Sequence, residues 1–164
     1  MPPVLSQITK DLQAHSSPKK ATASAWFFKT GKGQYGEGDV FIGVTLPEQR
    51  SIAKKYFREI TVPDIAQLLA DPIHEYRLTG LIILVYKYQV CTTDAQRKEL
   101  YQFYLHNKTR INNWDLVDCS APQIVGAYLH NKGKAPLVAL ARSRHLWDRR
   151  IAIIATLYSI VQKD

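Results

Sequence analysis

Cysteine is scarce in this sequence. The 164 residues hold two, Cys91 and Cys119, far apart and outside any Cys-x-x-Cys or Cys/His spacing, so neither a disulfide framework nor a zinc site is expected. A reducing cytosol fits that usage. Long apolar runs are missing too: the longest, Leu78 to Val85, contains Thr79 and Gly80 and is far too short to span a bilayer. The stretch from Met1 to Lys10 lacks a cationic segment followed by an apolar one. The expectation is therefore a cytoplasmic protein with no membrane partner. The histidines, His15, His74, His106, His130 and His145, show no HExxH or paired spacing, so no metal is expected and each reads as a surface or helix-end residue. A nucleophile elbow, a P-loop lysine and a Ser/His/Asp grouping are likewise absent, which argues against hydrolases of those kinds and against a cofactor.

What is present is an ordinary globular composition, 46% hydrophobic and 22% charged with a mean hydropathy of -0.22, which predicts one domain over 1–164. Lys and Arg number 22 against 14 Asp and Glu, a net charge of +8, which favours a polyanionic partner such as nucleic acid. Apolar positions recur at helical spacing and strand-like alternation is nearly absent, so the chain reads as all-α. Thr45-Leu46-Pro47-Glu48, Thr93-Asp94-Ala95-Gln96 and Ser120-Ala121-Pro122-Gln123 each have the pattern of a capping box. Ser17-Pro18 and Asp71-Pro72 add two helix starts, because proline at the first helical position loses no hydrogen bond. Helices are predicted near 4–15, 18–29, 46–60, 63–70, 73–89, 94–107, 114–119, 121–131, 135–142 and 146–162.

So many short helices cannot all surround one four-helix core, and stacked antiparallel pairs are the economical arrangement. That is an α-solenoid, HEAT-like or armadillo-like, with pairs beginning near 18, 46, 73, 114 and 135. The last helix carries a broad apolar stripe, Trp147, Ile151, Ile154, Tyr158 and Val161. Either that stripe packs inward on the preceding pairs or the chain is a shortened version of a longer array.

One glycine-rich stretch, Gly31-Lys32-Gly33-Gln34-Tyr35-Gly36-Glu37-Gly38, contains a literal GxGxxG. A dinucleotide fingerprint needs a strand before it and a helix after it, whereas this segment follows a helix. It reads as a flexible loop, with a phosphate contact conceivable through Lys29, Lys32 and the glycine amides.

In Asn112-Asn113-Trp114-Asp115-Leu116-Val117-Asp118, Trp114 and Asp118 stand four apart and share a helical face. An indole and a carboxylate would then meet at one surface; the alternative is a core tryptophan and a capping or solvated aspartate. Arg142, Arg144, Arg149 and Arg150 fall within nine residues. On a helical wheel Arg150 borders the apolar stripe and can reach a groove between helices, while Arg149 points away and reads as solvated. Arg150 has the planar fork of a phosphate clamp. The alternative is a salt bridge to Asp148 or Asp115.

The segments Gly43-Val44-Thr45-Leu46-Pro47-Glu48-Gln49-Arg50, Trp114-Asp115-Leu116-Val117-Asp118 and Trp147-Asp148-Arg149-Arg150-Ile151-Ala152, in this order, resemble the AlkD-type DNA alkylation repair family of HEAT-like DNA glycosylases. The resemblance covers nearly the whole chain. It implies a concave, basic solenoid that holds double-stranded DNA and excises purines alkylated at N3 or N7, with no cofactor. By matching positions, it implies Asp118 as the catalytic carboxylate, Trp114 as an aromatic wall beside the lesion and Arg150 as the basic residue at the lesion's backbone, with Trp147 in packing. Phe27 stands where the family commonly has a tyrosine. Family domains continue through roughly two further helical pairs, so the resemblance implies a domain shortened at its C-terminus.

Alkylation at N3 or N7 leaves the purine cationic and its glycosidic bond weak, so what remains is to stabilise a sugar cation. A fixed carboxylate suits that task, and an indole face attracts cationic groups. Lys29, Lys32, Arg142 and Arg144, with Phe27, are the candidate DNA-binding residues. The expected function is thus a monofunctional DNA glycosylase of base excision repair, acting as a monomer. The alternative is a non-catalytic HEAT-like module that binds DNA or a protein.

Overall fold

The computed structural model describes residues 3–162, whose regular secondary structure is helical, with one isolated parallel bridge between Val40 and Ile73 and no β-strand among them. The chain divides into two compact units, the first ending at Leu84 and the second beginning at Val85, so the division falls inside one helix.

In the first unit, α1 (Pro3–Ala14) buries Leu5, Ile8 and Leu12, a single stripe at helical spacing, and packs on α3 (Leu46–Tyr56). Asp11 joins the two helices, its Oδ2 accepting from Lys55 Nζ at 3.0 Å and from the Tyr56 hydroxyl at 2.9 Å. The start of α3 is fixed by Glu48, which accepts from the Thr45 amide at 2.7 Å and from the Thr45 hydroxyl. Thr61 and Asp64 make the same reciprocal arrangement for α4 (Val62–Ala70), the helix expected over 63–70, through a capping box not singled out in the sequence. Between them α2 (Pro18–Phe27) begins as expected at Ser17, whose Oγ accepts from the Lys20 amide at 3.4 Å, but buries none of its residues.

The segment after α2 is held down by the first turns of α5 (His74–Gln89). Asp39 is buried and bonds to His74 Nδ1 at 3.0 Å and to Arg77 Nη2. Glu75 accepts from three successive amides, Ile42 at 3.1 Å, Gly43 at 2.7 Å and Val44 at 3.3 Å. Gly43 has φ +82°, and a Cβ there would lie 2.2 Å from the Ser17 carbonyl oxygen, so the loop's close crossing of α2 requires glycine. Two sequence expectations are corrected here. His74 is a core residue, stacked against Phe41 with ring centroids 4.6 Å apart, rather than a surface residue. Pro72 does not open α5: its carbonyl receives the Val40 amide at 3.4 Å, and the chain turns helical only at His74.

The second unit contains α6 (Asp94–His106), a short 3-10 turn (Lys108–Arg110), α7 (Trp114–Asp118), a wide π turn (Pro122–Gly126) running into α8 (Ala127–Leu129), α9 (Ala135–Ala141) and α10 (Leu146–Val161). The Thr93 box is present, with the Gln96 amide donating to Thr93 Oγ1 at 3.2 Å and the Thr93 amide to Gln96 Oε1 at 3.3 Å. The expected Ser120 box is not: Ser120 is buried and its hydroxyl is donated backwards to the Leu116 carbonyl. Pro122 has no amide to close onto the Asp118 carbonyl four residues back, so the helix expected over 121–131 begins as a π turn.

α10 lies against the π turn, α9 and α7, burying Trp147, Ile151, Ala152 and Ala155. The expected apolar stripe thus turns inward at its start, whereas Val161 is 78% exposed and Ile153 and Ile160 face solvent beside it in sequence. The close approach depends on Gly126, where a Cβ would lie 2.2 Å from the Ala155 carbonyl oxygen and 2.8 Å from Tyr158 Cβ. Gly126→Ala is expected to lower stability by about 1–3 kcal/mol, the range for overpacking a well-filled contact. Urea unfolding of the variant tests this, and an unchanged midpoint would mean that α10 is not packed this tightly.

Candidate functional site

Asn113 opens α7 with its buried side chain, Oδ1 accepting from the Trp114 amide at 2.8 Å. Leu116 and Val117 are buried, leaving Trp114 and Asp118, one turn apart, partly exposed. The carbonyl side of α7 is locked from within. Ser120 Oγ bonds to the Leu116 carbonyl and lies 3.0 Å from the Tyr104 hydroxyl, whose phenol is pushed up by complete burial.

Asp118 meets Arg150 of α10 side-on: Nε donates to Oδ1 at 2.8 Å and Nη2 to Oδ2 at 2.7 Å. The two side chains are 35% and 37% exposed, so the pair lies at the surface with solvent on one side. The Asp118 carboxylate raises the Arg150 guanidinium above its ordinary value, outweighing desolvation. Two of the three residues that the sequence suggested for chemistry, Asp118 and Arg150, are therefore in direct contact. Arg150 is not paired with Asp148 or Asp115; its partner is Asp118 itself. Such a constellation offers a fixed anion, a forked cation beside it and an indole one turn away. It can stabilise a developing positive charge and hold a neighbouring anion.

The start of α10 is anchored by a residue that the sequence offered only as a partner for Arg150. Asp148, buried in the first turn of α10, accepts from Lys108 Nζ at 2.6 Å and from Ser143 Oγ at 2.8 Å. Burial would raise its pKa, but the hydrogen bonds from Lys108 and Ser143 outweigh that and hold the carboxyl below its usual range. A carboxylate at the third position of a predicted helix was the available signal. Arg149 corrects a second expectation: its Nη1 donates to the Ser143 and Arg144 carbonyls at 3.0 and 2.8 Å, closing the turn between α9 and α10 rather than pointing into solvent. Trp147 is buried, in keeping with packing.

The remaining candidates are dispersed. Arg142 and Arg144 are exposed around the turn before α10. Lys29, Lys32 and Phe27 belong to the first unit and are exposed there. The glycine-rich segment is a run of turns, as expected of a loop, but its amides are committed: Gly31 donates to Gln34 Oε1 at 3.0 Å, Gly33 to Glu37 Oε2 at 2.8 Å and Gly36 to the Lys29 carbonyl at 3.1 Å. A phosphate cradle made from those amides is thereby withdrawn. Two cavities of about 440 and 450 Å³ open in the second unit, one among Tyr88, Arg97, Tyr128 and Tyr158 and one apolar between α9 and α10. Neither is lined by Asp118, Trp114 or Arg150. Among the described residues no group of three or more His, Cys, Asp or Glu is placed to hold a metal, and no helix is long and apolar enough to cross a membrane.

Asp148 carries a pH dependence whose sign follows from its depressed pKa. Its contribution to stability is complete above the unfolded carboxylate range and is lost as pH falls through the lower, folded value. Asp148→Asn should cost about 1–3 kcal/mol at neutral pH, as expected for hydrogen bonds to a charged group. The deficit should shrink as the pH is lowered below 4, where the parent's own carboxyl becomes protonated. Chemical denaturation at a series of pH values would reveal it; a deficit that stays constant with pH would exclude this role.

No curated protein matches the chain. The family model described as DNA alkylation repair enzyme matches residues 8–164, a span that includes α7, α10 and the Asp118–Arg150 pair. With nearly the whole sequence matched, the chain belongs to the DNA alkylation repair enzyme family.

Proposed function

We propose that this protein is a monofunctional DNA glycosylase that hydrolyses the N-glycosidic bond of N3- or N7-alkylated purines in duplex DNA. The observation that carries the reading is the partly exposed Asp118 carboxylate, fixed by Arg150 one turn after Trp114. An alkylated purine already bears a positive charge and departs as a neutral base, so no strong general acid is required. As the bond breaks, positive charge moves to the sugar, where a fixed carboxylate is worth most. Water adds to the sugar carbon and its proton passes to Asp118 or to solvent. Trp114 contributes through its ring face, an attraction of about 0.5–2 kcal/mol for a cation.

Arg150 has two uses in this scheme. Without DNA it neutralises Asp118. Near a phosphate it has a competing bidentate partner, and a shift toward that partner turns the carboxylate to the sugar. Lys29, Lys32, Arg142 and Arg144 supply phosphate contacts and Phe27 an apolar one, within the HEAT-like solenoid of stacked helix pairs that the family resemblance implies. A monomeric protein acting on the chromosome in a bacterial cytoplasm belongs to the same proposal.

Exposed apolar side chains favour one second reading. Ile153, Leu157, Ile160 and Val161 on α10 and Val138 on α9 are 45–78% exposed, a surface suited to a non-catalytic module that binds a protein. A mass that rises with concentration in light scattering would support that reading, and a constant monomer mass would weigh against it.

For the glycosylase, the decisive assay is release of N7-alkylguanine and N3-alkyladenine from methylated duplex DNA. Asp118→Asn should lower release at least about 100-fold, the scale for losing one preorganised electrostatic group, while DNA affinity stays within a few-fold. Excision by the variant at the parental rate would remove Asp118 from the mechanism.

A further inference from the structure

The second helix ends in an exposed tryptophan to which the proposed excision gives no part. Trp26 is 74% exposed and Phe27 55% exposed at the end of a helix that buries none of its residues. Two residues further on, Lys29 has φ 55°, the left-handed conformation that glycine adopts at helix ends without a side-chain clash. Glycines follow at 31 and 33, so this loop does not lack them. The strained lysine places its Nζ 4.7 Å from the centroid of the Trp26 ring, a cation against one face of an indole left open to solvent.

The sequence leading through this pair carries charge of one sign. Between Asp11 and Glu37 the sequence contains no acidic residue but has Lys19, Lys20, Lys29 and Lys32, and Glu37 itself accepts the Gly33 amide at 2.8 Å. Lysines alone would suffice to hold a duplex backbone, and an apolar protein partner would gain nothing from four of them. An open aromatic face with one lysine on it, in a lysine-rich segment, matches a ligand that presents a flat ring and an adjacent phosphate together, which is an unpaired nucleotide.

We infer that Trp26 and Lys29 form a stacking platform for an unpaired base of single-stranded DNA, with the neighbouring lysines holding its phosphates. The platform rests on the reading of this protein as DNA-binding but not on base excision. It belongs to the first unit, whereas Asp118 and Arg150 belong to the second. Its role is to hold DNA where a strand is open, at a frayed or gapped site.

Intrinsic tryptophan fluorescence tests it, because Trp26 is far more exposed than the buried Trp147 and the partly buried Trp114. Titration of the full chain with oligothymidylate should quench emission. Trp26→Ala should abolish most of that quenching and weaken binding about 5- to 100-fold, the range for losing one base–aromatic stack. The loss on a blunt duplex of equal length should be several-fold smaller. Lys29→Gly should also weaken oligothymidylate binding while leaving the melting temperature unchanged or higher, since it relieves the left-handed strain. A Trp26→Ala protein that binds oligothymidylate like the parent overturns the platform. So does an equal loss on single strand and duplex, or a Lys29→Gly protein that melts lower and binds normally. Measuring alkylpurine release in parallel keeps the two proposals separate: a chain that fails to excise but stacks through Trp26 loses only the first, and one that excises with a dispensable Trp26 loses only the second.

Discussion

Arg150 can close on both oxygens of Asp118 only while the first turn of α10 is held, and the buried carboxylate of Asp148 is what holds it. Burying that charge is costly, and it is tolerable because Lys108 and Ser143 supply a counter-charge and two hydrogen bonds. The amide dipoles at the start of α10 favour an anion in the same place. From that anchor the helix runs past Gly126, whose missing side chain sets the closeness of approach, and its geometry carries Arg150 two residues on to face α7. α7 is only five residues long and would not hold its shape alone. It is fixed by Asn113 at one end and by the Ser120 and Tyr104 hydroxyls at the other, so its exposed carboxylate is presented by a rigid support.

The first unit uses buried carboxylates in a comparable way but for a different purpose. Asp39 and Glu75 stitch the segment after α2 to the start of α5, one through His74 and Arg77 and the other through three backbone amides. The rings continue the attachment outward. His74 lies on Phe41, Phe41 is stacked on Phe28 at 5.0 Å, and Phe28 meets Phe27 edge-on at 5.2 Å. A helix with no buried residue of its own is in this way tethered at its C-terminal end, and its exposed aromatic residues are backed by ordered structure.

Helix positions were legible because they depend on local chemistry. Thr45 with Glu48 and Thr93 with Gln96 are reciprocal caps that need only residues three apart, and the apolar period marks α1 and α10 directly. The errors arose where a residue's partner is remote or where two local rules compete. Ser120 satisfies the capping pattern, but the carbonyls of the preceding turn are nearer to its hydroxyl than any amide ahead, so it bonds backwards. Pro72 suits a helix start, yet its carbonyl is engaged by Val40, more than thirty positions earlier. Nothing near His74 in sequence indicates that Asp39 and Phe41 will surround it. In the candidate site, the shared face of Trp114 and Asp118 followed from helical spacing, whereas the Arg150 contact spans 32 residues and depends on Asp148. A wheel could say only that Arg150 borders the packed stripe.

On the proposed reading, that contact bears on how a carboxylate can serve beside a polyanion at all. A bare Asp118 on a DNA-facing surface would repel phosphates and oppose binding before any chemistry began. Paired with Arg150 it presents little net charge, so the basic excess of the chain governs the approach. The pair is also cheap to exchange, because an ion pair about one-third exposed is worth only about 0–1 kcal/mol in solution. A phosphate offers the guanidinium an equivalent bidentate partner, so DNA can draw Arg150 across without a large penalty. Once water is excluded, the carboxylate that remains has its strongest field just as the sugar becomes cationic. On the proposed reading, then, the visible salt bridge is compatible with catalysis: it shields Asp118 during binding and yields it at the lesion.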